Sequence, residues 1–243
     1  MSTVPYFELS WAILSTIGML NVFFGIMVVS ITMISPISLV PIVVSAAGAV
    51  ANGLCYYAYY ASYPKVPTAV ASAFADALWL VQEAGMSFYS YLILVHILQR
   101  RQRLIFVGLF WTIIAALVTI RAVILATRVR LNISNRQDLQ PFIDHLHVGY
   151  FTMIALIECL SAFFLLQKLA AARQQSLEAA AKPGLFQYLM RSTEIRLSVL
   201  ALVGISRAIT YSFQDTSQSA TGVAGQIDRF VYTLECVFPV MML

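Results

Sequence analysis

Residues 73–85, AFADALWLVQEAG, lie inside an apolar segment of about thirty residues, which is too long and too continuous for a helix in a soluble core. The segment predicts a membrane-spanning helix that carries two carboxylates, Asp76 and Glu83. At about 100° per residue these side chains share one face, about 10 Å apart along the axis, with Gln82 beside them. Gly85 allows another backbone to approach closely. Lipid would penalise each charge by about 2.5 kcal/mol or more, so this face is expected to point into a bundle or cavity.

The overall composition excludes an ordinary water-soluble domain. Of the 243 residues, 60% are hydrophobic and 11% are charged, and the mean hydropathy is +0.81. These values predict an all-α, polytopic membrane protein that is embedded among membrane lipids, in the plasma membrane or an endomembrane. The net charge of +4 is modest, and nucleic acid is not an expected partner.

Common site motifs do not occur in this sequence. Cys55, Cys159 and Cys236 lie in apolar segments without metal-ligand spacing, so neither a disulfide framework nor a metal site is predicted, and no cofactor is expected. A nucleotide-binding glycine loop, a His-Glu-x-x-His motif and a Gly-x-Ser-x-Gly motif are also missing. ATP-driven pumping and ordinary hydrolase chemistry are therefore poorly supported.

Seven membrane spans are predicted within a single domain, residues 1–243. Their approximate bounds are 9–33, 36–61, 68–98, 104–128, 148–169, 196–213 and 226–243. Residues 170–195 are expected to form a cytoplasmic loop with a helical extension, because an alanine-rich run continues span 5 as far as Pro183 and Gly184. Residues 130–147 are polar and are expected to form a loop that contains His145 and His147.

The distribution of basic residues predicts the orientation. Alternate loops hold eight Lys and Arg on one side and five on the other, which favours an external N-terminus and an internal C-terminus. Asn132, in the sequon Asn-Ile-Ser, then lies outside, where it is a candidate glycosylation site. The five outer residues are Lys65, Arg128, Arg130, Arg136 and Arg229.

Ionisable residues inside the predicted spans are the strongest chemical clue. Four acids face two arginines: Asp76, Glu83, Glu158 and Glu235 against Arg121 and Arg207. If both arginines pair, two carboxylates remain, which are then either neutral or a site for a cation or proton. The alternative is that pairs such as Arg207 with Glu235 only fix the helix register. Further candidate members of the ion-pair set are Glu158, Asp228 and Tyr232.

Two short motifs carry a family resemblance. Span 3 contains Asp76, Gln82 and Gly85 as Asp-x5-Gln-x2-Gly, and span 7 contains Asp228, Tyr232 and Glu235 as acidic-x3-Tyr-x2-acidic. These patterns resemble the fungal lipid-translocating exporter family, the RTA-type aminosterol-resistance proteins. The resemblance implies a seven-span protein that moves amphipathic lipids, such as sphingoid bases or sterol-like compounds, or that gives resistance to them under stress.

The preceding helix departs from that family's pattern. Arg207 stands at the first arginine of the family's Arg-x3-Arg-x2-Glu motif, but Tyr211 replaces the second arginine. Phe213 and Gln214 stand where the glutamate would be, and the acids of span 7 are exchanged in type. The resemblance therefore covers the seven-span layout and short motifs only.

The expected function is translocation of an amphipathic small molecule. Asp76, Gln82, Glu83 and Glu235 are the expected ligand-binding or proton-handling residues, and Glu83 is the first choice for the acid that meets a cationic head group. Two other classes stay open: a seven-span receptor, and a membrane-embedded isoprenoid cyclase that uses an intramembrane acid as general acid. The enzyme ranks below the receptor.

Overall fold

The fold is entirely helical. The computed structural model describes residues 9–55, 57–58, 64–134, 139–178, 184–213 and 223–243. Within these ranges the chain forms seven α-helices and no β-strand, which confirms the all-α prediction. The helices are α1 (Leu9–Ile31), α2 (Pro36–Cys55), α3 (Lys65–Ile97), α4 (Arg100–Ser134), α5 (Gln140–Glu178), α6 (Gly184–Ser212) and α7 (Val223–Met242).

The first five helices are long and apolar enough to cross a membrane. The apolar part of α6 is shorter, Ser198–Thr210. Helix α7 has 20 residues and carries Asp228, Arg229 and Glu235 among them, which reduces its hydropathy. A chain with five such helices is consistent with a helical membrane protein.

The helices are arranged as a ring. Each described helix packs against the next along the chain, and α7 packs against α1. Across the ring, α3 also contacts α5 and α2 also contacts α7. Helix α3 consequently has protein on several sides, and its Asp76 and Glu83 are both buried inside the bundle.

Small residues bring α1, α2 and α3 close together. A Cβ added to Gly85 would lie 2.6 Å from Val44 Cγ1, so α3 approaches α2 closely at this glycine. A Cβ added to Gly18 would lie 2.9 Å from the backbone oxygen of Ser45, which leaves no room for a side chain between α1 and α2. Without a hydrophobic driving force between helices in lipid, such close contact is a main source of packing energy.

Several helices extend beyond the predicted spans, because the apolar part of a helix and the whole helix differ in length. The predicted polar loop at residues 130–147 is mostly helix, since α4 continues to Ser134 and α5 begins at Gln140. His145 and His147 are therefore helical, and Asn132 is half-buried in the last turn of α4. A loss of hydropathy marks where a helix leaves lipid or meets a polar interior, and the backbone hydrogen bonds continue beyond that point.

Spans 2 and 6 also differ from the helices. Helix α2 ends at Cys55, and of the predicted remainder to residue 61 only residues 57–58 are described. Helix α6 begins at Gly184, so the predicted loop at 170–195 is helical at both ends. The predicted extension of α5 reaches Glu178, and its last predicted residues, 179–182, lie outside the described ranges.

The two ends of the bundle differ in chemistry. Where α3 ends and α4 begins, aromatic rings fill the core, with the ring centroids of Tyr91 and Phe110 4.4 Å apart and those of Tyr91 and Phe106 6.0 Å apart. Where α3 begins and α4 ends, the interior holds buried charges instead. The candidate site lies in this second half.

Candidate functional site

A carboxylate of α3 meets two arginines of α4. Asp76 is fully buried, and its Oδ1 lies 2.6 Å from Arg128 Nη1 and 3.3 Å from Arg121 Nη2. The Nε of Arg121 also donates to the backbone oxygen of Asp76 at 3.1 Å. Arg121 and Arg128 are about two helical turns apart, so both face α3. Arg128, assigned above to an outer loop, is a buried partner of Asp76.

One arginine of α6 joins acids of two other helices. Arg207 Nη1 lies 3.0 Å from Glu83 Oε1 on α3 and 2.7 Å from Glu235 Oε2 on α7. Its Nε lies 3.5 Å from Asp228 Oδ1, also on α7. Arg207 thus contacts Glu235, the pair considered from the sequence, and Glu83 as well.

These pairs connect into one chain of charges. Arg121 Nη1 lies 3.9 Å from Glu83 Oε2, which links the Asp76 cluster to the Arg207 cluster. At the opposite end, Arg128 Nη2 lies 3.4 Å from His147 Nε2 on α5. We call this set the ion chain, and its members come from five helices: His147, Arg128, Asp76, Arg121, Glu83, Arg207, Glu235 and Asp228.

A neutral hydrogen-bond network lies beside the ion chain. Tyr232 Oη on α7 donates to Asn52 Oδ1 at 2.9 Å or to Gln82 Oε1 at 3.0 Å, and it accepts from Trp79 Nε1 at 3.0 Å. Gln82 Nε2 donates to Cys236 Sγ at 3.4 Å. Gln82 and Tyr232, the uncharged members of the two sequence motifs, are thus direct partners, and Tyr232 acts through hydrogen bonds where an ion-pair role had been predicted.

Aromatic rings cover three of the arginines. Arg207 Cζ lies 4.0 Å from the ring centroid of Phe151, and Arg229 Cζ lies 3.9 Å from that of Trp11. Arg121 Cζ lies 5.1 Å from the ring of Tyr150. A guanidinium is weakly hydrated and stacks on aromatic faces, which suits arginine to a buried position.

Two cavities lie along the ion chain. The first, which we call the ion-lined cavity, spans about 470 Å³ of space that is partly open to solvent. Its ionisable lining contains four arginines, one histidine and two acids: Arg121, Arg128, Arg207, Arg229, His147, Glu83 and Asp228. Trp11, Trp79, Phe151 and Tyr232 complete the wall, so the cavity combines guanidinium groups with aromatic surface.

The second cavity, which we call the Glu158 cavity, spans about 330 Å³ of space that is partly open to solvent, and it has a mostly apolar wall. Glu83, Phe151 and Arg207 line both cavities. The two spaces therefore meet at the point where Arg207 holds Glu83 and Glu235.

Glu158 differs from the other buried acids. It was predicted to join the ion pairs, but no salt bridge to it occurs among the described residues. Its Oε1 accepts a hydrogen bond from Ser87 Oγ at 2.5 Å, and its Oε2 has no hydrogen-bond partner in the described part of the chain. The prediction was wrong because hydropathy does not specify which neighbours an acid meets.

These contacts reduce the predicted surplus of two carboxylates to one. The ion chain and the adjoining Arg229 contain four acids and four arginines, because Arg128 and Arg229 belong to the interior. Each of these four acids has an arginine within 4 Å. Among the buried acids of the described residues, only Glu158 has no arginine within 4 Å.

The sequence predictions missed four residues of the site: Arg128, Arg229, His147 and Asn52. The spacing of Arg121 and Arg128, which places them on one helical face, is the signal that was available for Arg128. His147 directly precedes predicted span 5 and Arg229 lies in the first turn of predicted span 7, where hydropathy does not distinguish a solvated residue from a buried one. The described residues contain no group of three His, Cys, Asp or Glu side chains that could hold a metal ion.

The polar residues of the two sequence motifs, in α3 and α7, are close together in the structure. Gln82 and Tyr232 share a hydrogen bond, and Glu235 and Asp228 both contact Arg207. No family model matches this chain, and comparisons with curated proteins and with solved structures likewise find no match.

Proposed function

We propose that this protein translocates amphipathic lipids that carry a phosphate or carboxylate in the head group. The observation that carries the proposal is the pair of cavities that meet at Arg207, Glu83 and Phe151. A head group that binds in the ion-lined cavity lies directly against the arginine that separates it from the second cavity.

Arg229, the arginine of the ion-lined cavity without a salt bridge among the described residues, favours an anionic group. Guanidinium groups bind phosphate and carboxylate through paired hydrogen bonds, and Arg229 Nη1 is buried without a hydrogen-bond partner among the described residues. A cationic head group, expected from the sequence, finds less support because the acids of the ion chain already contact arginines.

Exchange of partners provides a route past Arg207, which lines both cavities. A bound anion competes with Glu83 and Glu235 for Arg207, so the arginine changes partners without becoming isolated. Isolating a buried charge would cost several kcal/mol, and exchange avoids that cost. A receptor that binds the same head group without moving it would use the same cavity, and a translocation assay separates the two functions.

We further propose that all seven helices cross the bilayer with the N-terminus outside. The basic residues support this orientation more strongly once Arg128 and Arg229 are assigned to the interior, because Lys65, Arg130 and Arg136 alone then remain outside. The ion-lined cavity then belongs to the outer half of the bundle.

Cysteine labelling tests the topology. In a background without the three native cysteines, a cysteine introduced at exposed Ile133 is expected to react with an impermeant reagent added outside. A cysteine at exposed Ala171 is expected to react only after the membrane is opened. Reaction in the opposite pattern would reverse the orientation, and reaction of both from one side would contradict an odd number of crossings between them.

The head-group proposal is tested by Arg229→Gln in liposomes. We expect the wild type to flip a labelled phospholipid and to favour it over a labelled long-chain amine. Loss of one charge-assisted hydrogen bond costs about 1.5–3 kcal/mol, so Arg229→Gln should weaken phospholipid binding about ten- to a hundredfold.

Arg130→Gln is the matched control, because Arg130 is exposed near the same end of the bundle and does not line the cavity. It should leave binding and flipping unchanged. Preference for the amine would overturn the anionic assignment, and binding without flipping would indicate a receptor.

A further inference from the structure

Glu158 has no role in the proposed head-group site, although it is among the most buried acids. Its side chain is 3% exposed, and its Oε2 lacks a hydrogen-bond partner within the described ranges. It lines a cavity whose other walls include Met86, Ile154 and Leu200. A permanent negative charge in such apolar surroundings would be strongly unfavourable, so the arrangement fits a neutral carboxylic acid.

The polar and charged side chains that face Glu158 determine which residues its negative charge would attract or repel. Helix α3 contributes Ser87, which donates to Oε1, and Glu83 at the cavity wall. Helices α6 and α7 contribute Arg207 and Glu235 to the same wall. Arg207 is the only cation that lines this cavity within the described residues, and it is also the residue that holds Glu83 and Glu235.

We propose that Glu158 is a proton-binding site and that its charge controls the partners of Arg207. With the proton bound, Glu158 is neutral and Arg207 stays with Glu83 and Glu235. With the proton released, the carboxylate attracts Arg207 across the shared cavity and weakens those pairs. The control of Arg207 rests on the proposed translocation. Because the head group binds against Arg207, the charge of Glu158 makes head-group binding dependent on pH.

A proton fits this site better than a metal cation. Sodium, magnesium and calcium need several oxygen ligands, whereas the cavity wall near Glu158 is formed mainly by carbon atoms. The Ser87 hydroxyl is already used as a donor to Glu158. A proton needs only the free carboxylate oxygen and a water molecule that delivers it.

Infrared spectroscopy of the purified protein in vesicles tests the proton site directly. A step in pH should change the carbonyl band of a protonated carboxylic acid in the wild type. Glu158→Gln should abolish this change, and Ser87→Ala should shift the band because the hydrogen bond to Oε1 is lost. The matched control is Asp144→Asn, whose carboxylate lies on the same helix but does not line the cavity.

The second measurement is phospholipid affinity as a function of pH. The wild type should change affinity over the pH range in which the infrared band changes, and Glu158→Gln should bind with a pH-independent affinity. A band change that survives in Glu158→Gln, or that follows sodium concentration and not pH, would overturn the proton site. Unaltered pH dependence of binding in Glu158→Gln would overturn the control of Arg207. If no variant binds phospholipid while the band change still requires Glu158, the proton site stands and the proposed function fails.

Discussion

Arg207→Leu is expected to lower the free energy of unfolding by about 3–5 kcal/mol, since it removes one partner from a buried ion cluster. The substitution leaves Glu83 and Glu235 buried without their closest cation, at 3.0 Å and 2.7 Å from the lost Nη1. It also removes the guanidinium that stacks on Phe151. Unfolding in detergent micelles, followed by circular dichroism, measures the loss.

Double variants identify the dominant partner of Arg207. Glu235→Gln should recover more of the lost stability than Glu83→Gln, because Glu83 keeps Arg121 at 3.9 Å whereas no second arginine contacts Glu235 within the described ranges. Arg130→Leu, at an exposed position, should change stability little. Additive losses in both double variants would mean that neither acid depends on Arg207.

Asp76→Asn is expected to have a similarly large effect on stability, again about 3–5 kcal/mol. Asp76 is the acid that Arg128 and Arg121 share, and the three side chains are all buried. An amide oxygen still accepts a hydrogen bond but no longer balances two positive charges. The same unfolding measurement applies, with Asp144→Asn as the partly exposed control.

A second substitution should show which arginine depends more on Asp76. Arg128→Gln is expected to restore more stability to Asp76→Asn than Arg121→Gln does, because Arg121 retains Glu83 and Arg128 lies closest to the lost charge, at 2.6 Å. Equal rescue by both substitutions would contradict this order. Wild-type stability of Asp76→Asn alone would show that the ion chain is not needed for folding.

The sequence alone determined the helices and the inner face of α3. Apolar runs long enough for a membrane predicted the long helices, because backbone polar groups in lipid must be satisfied within each segment. The 3.6-residue period placed Asp76 and Glu83 on one face, and Arg121 does contact both acids. Gly85 was correctly associated with a close helix contact, since only a residue without a side chain permits it.

Only the tertiary structure decided which charges share the interior. Arg128, His147 and Arg229 lie near the ends of apolar runs, where composition gives the same signal for a solvated residue and for one that lines a cavity. Their inclusion removed the predicted surplus of acids in the ion chain and left Glu158 as the separate case. The reason is physical: hydropathy measures the average environment along a helix, whereas ion pairing depends on contacts between helices that are distant in sequence.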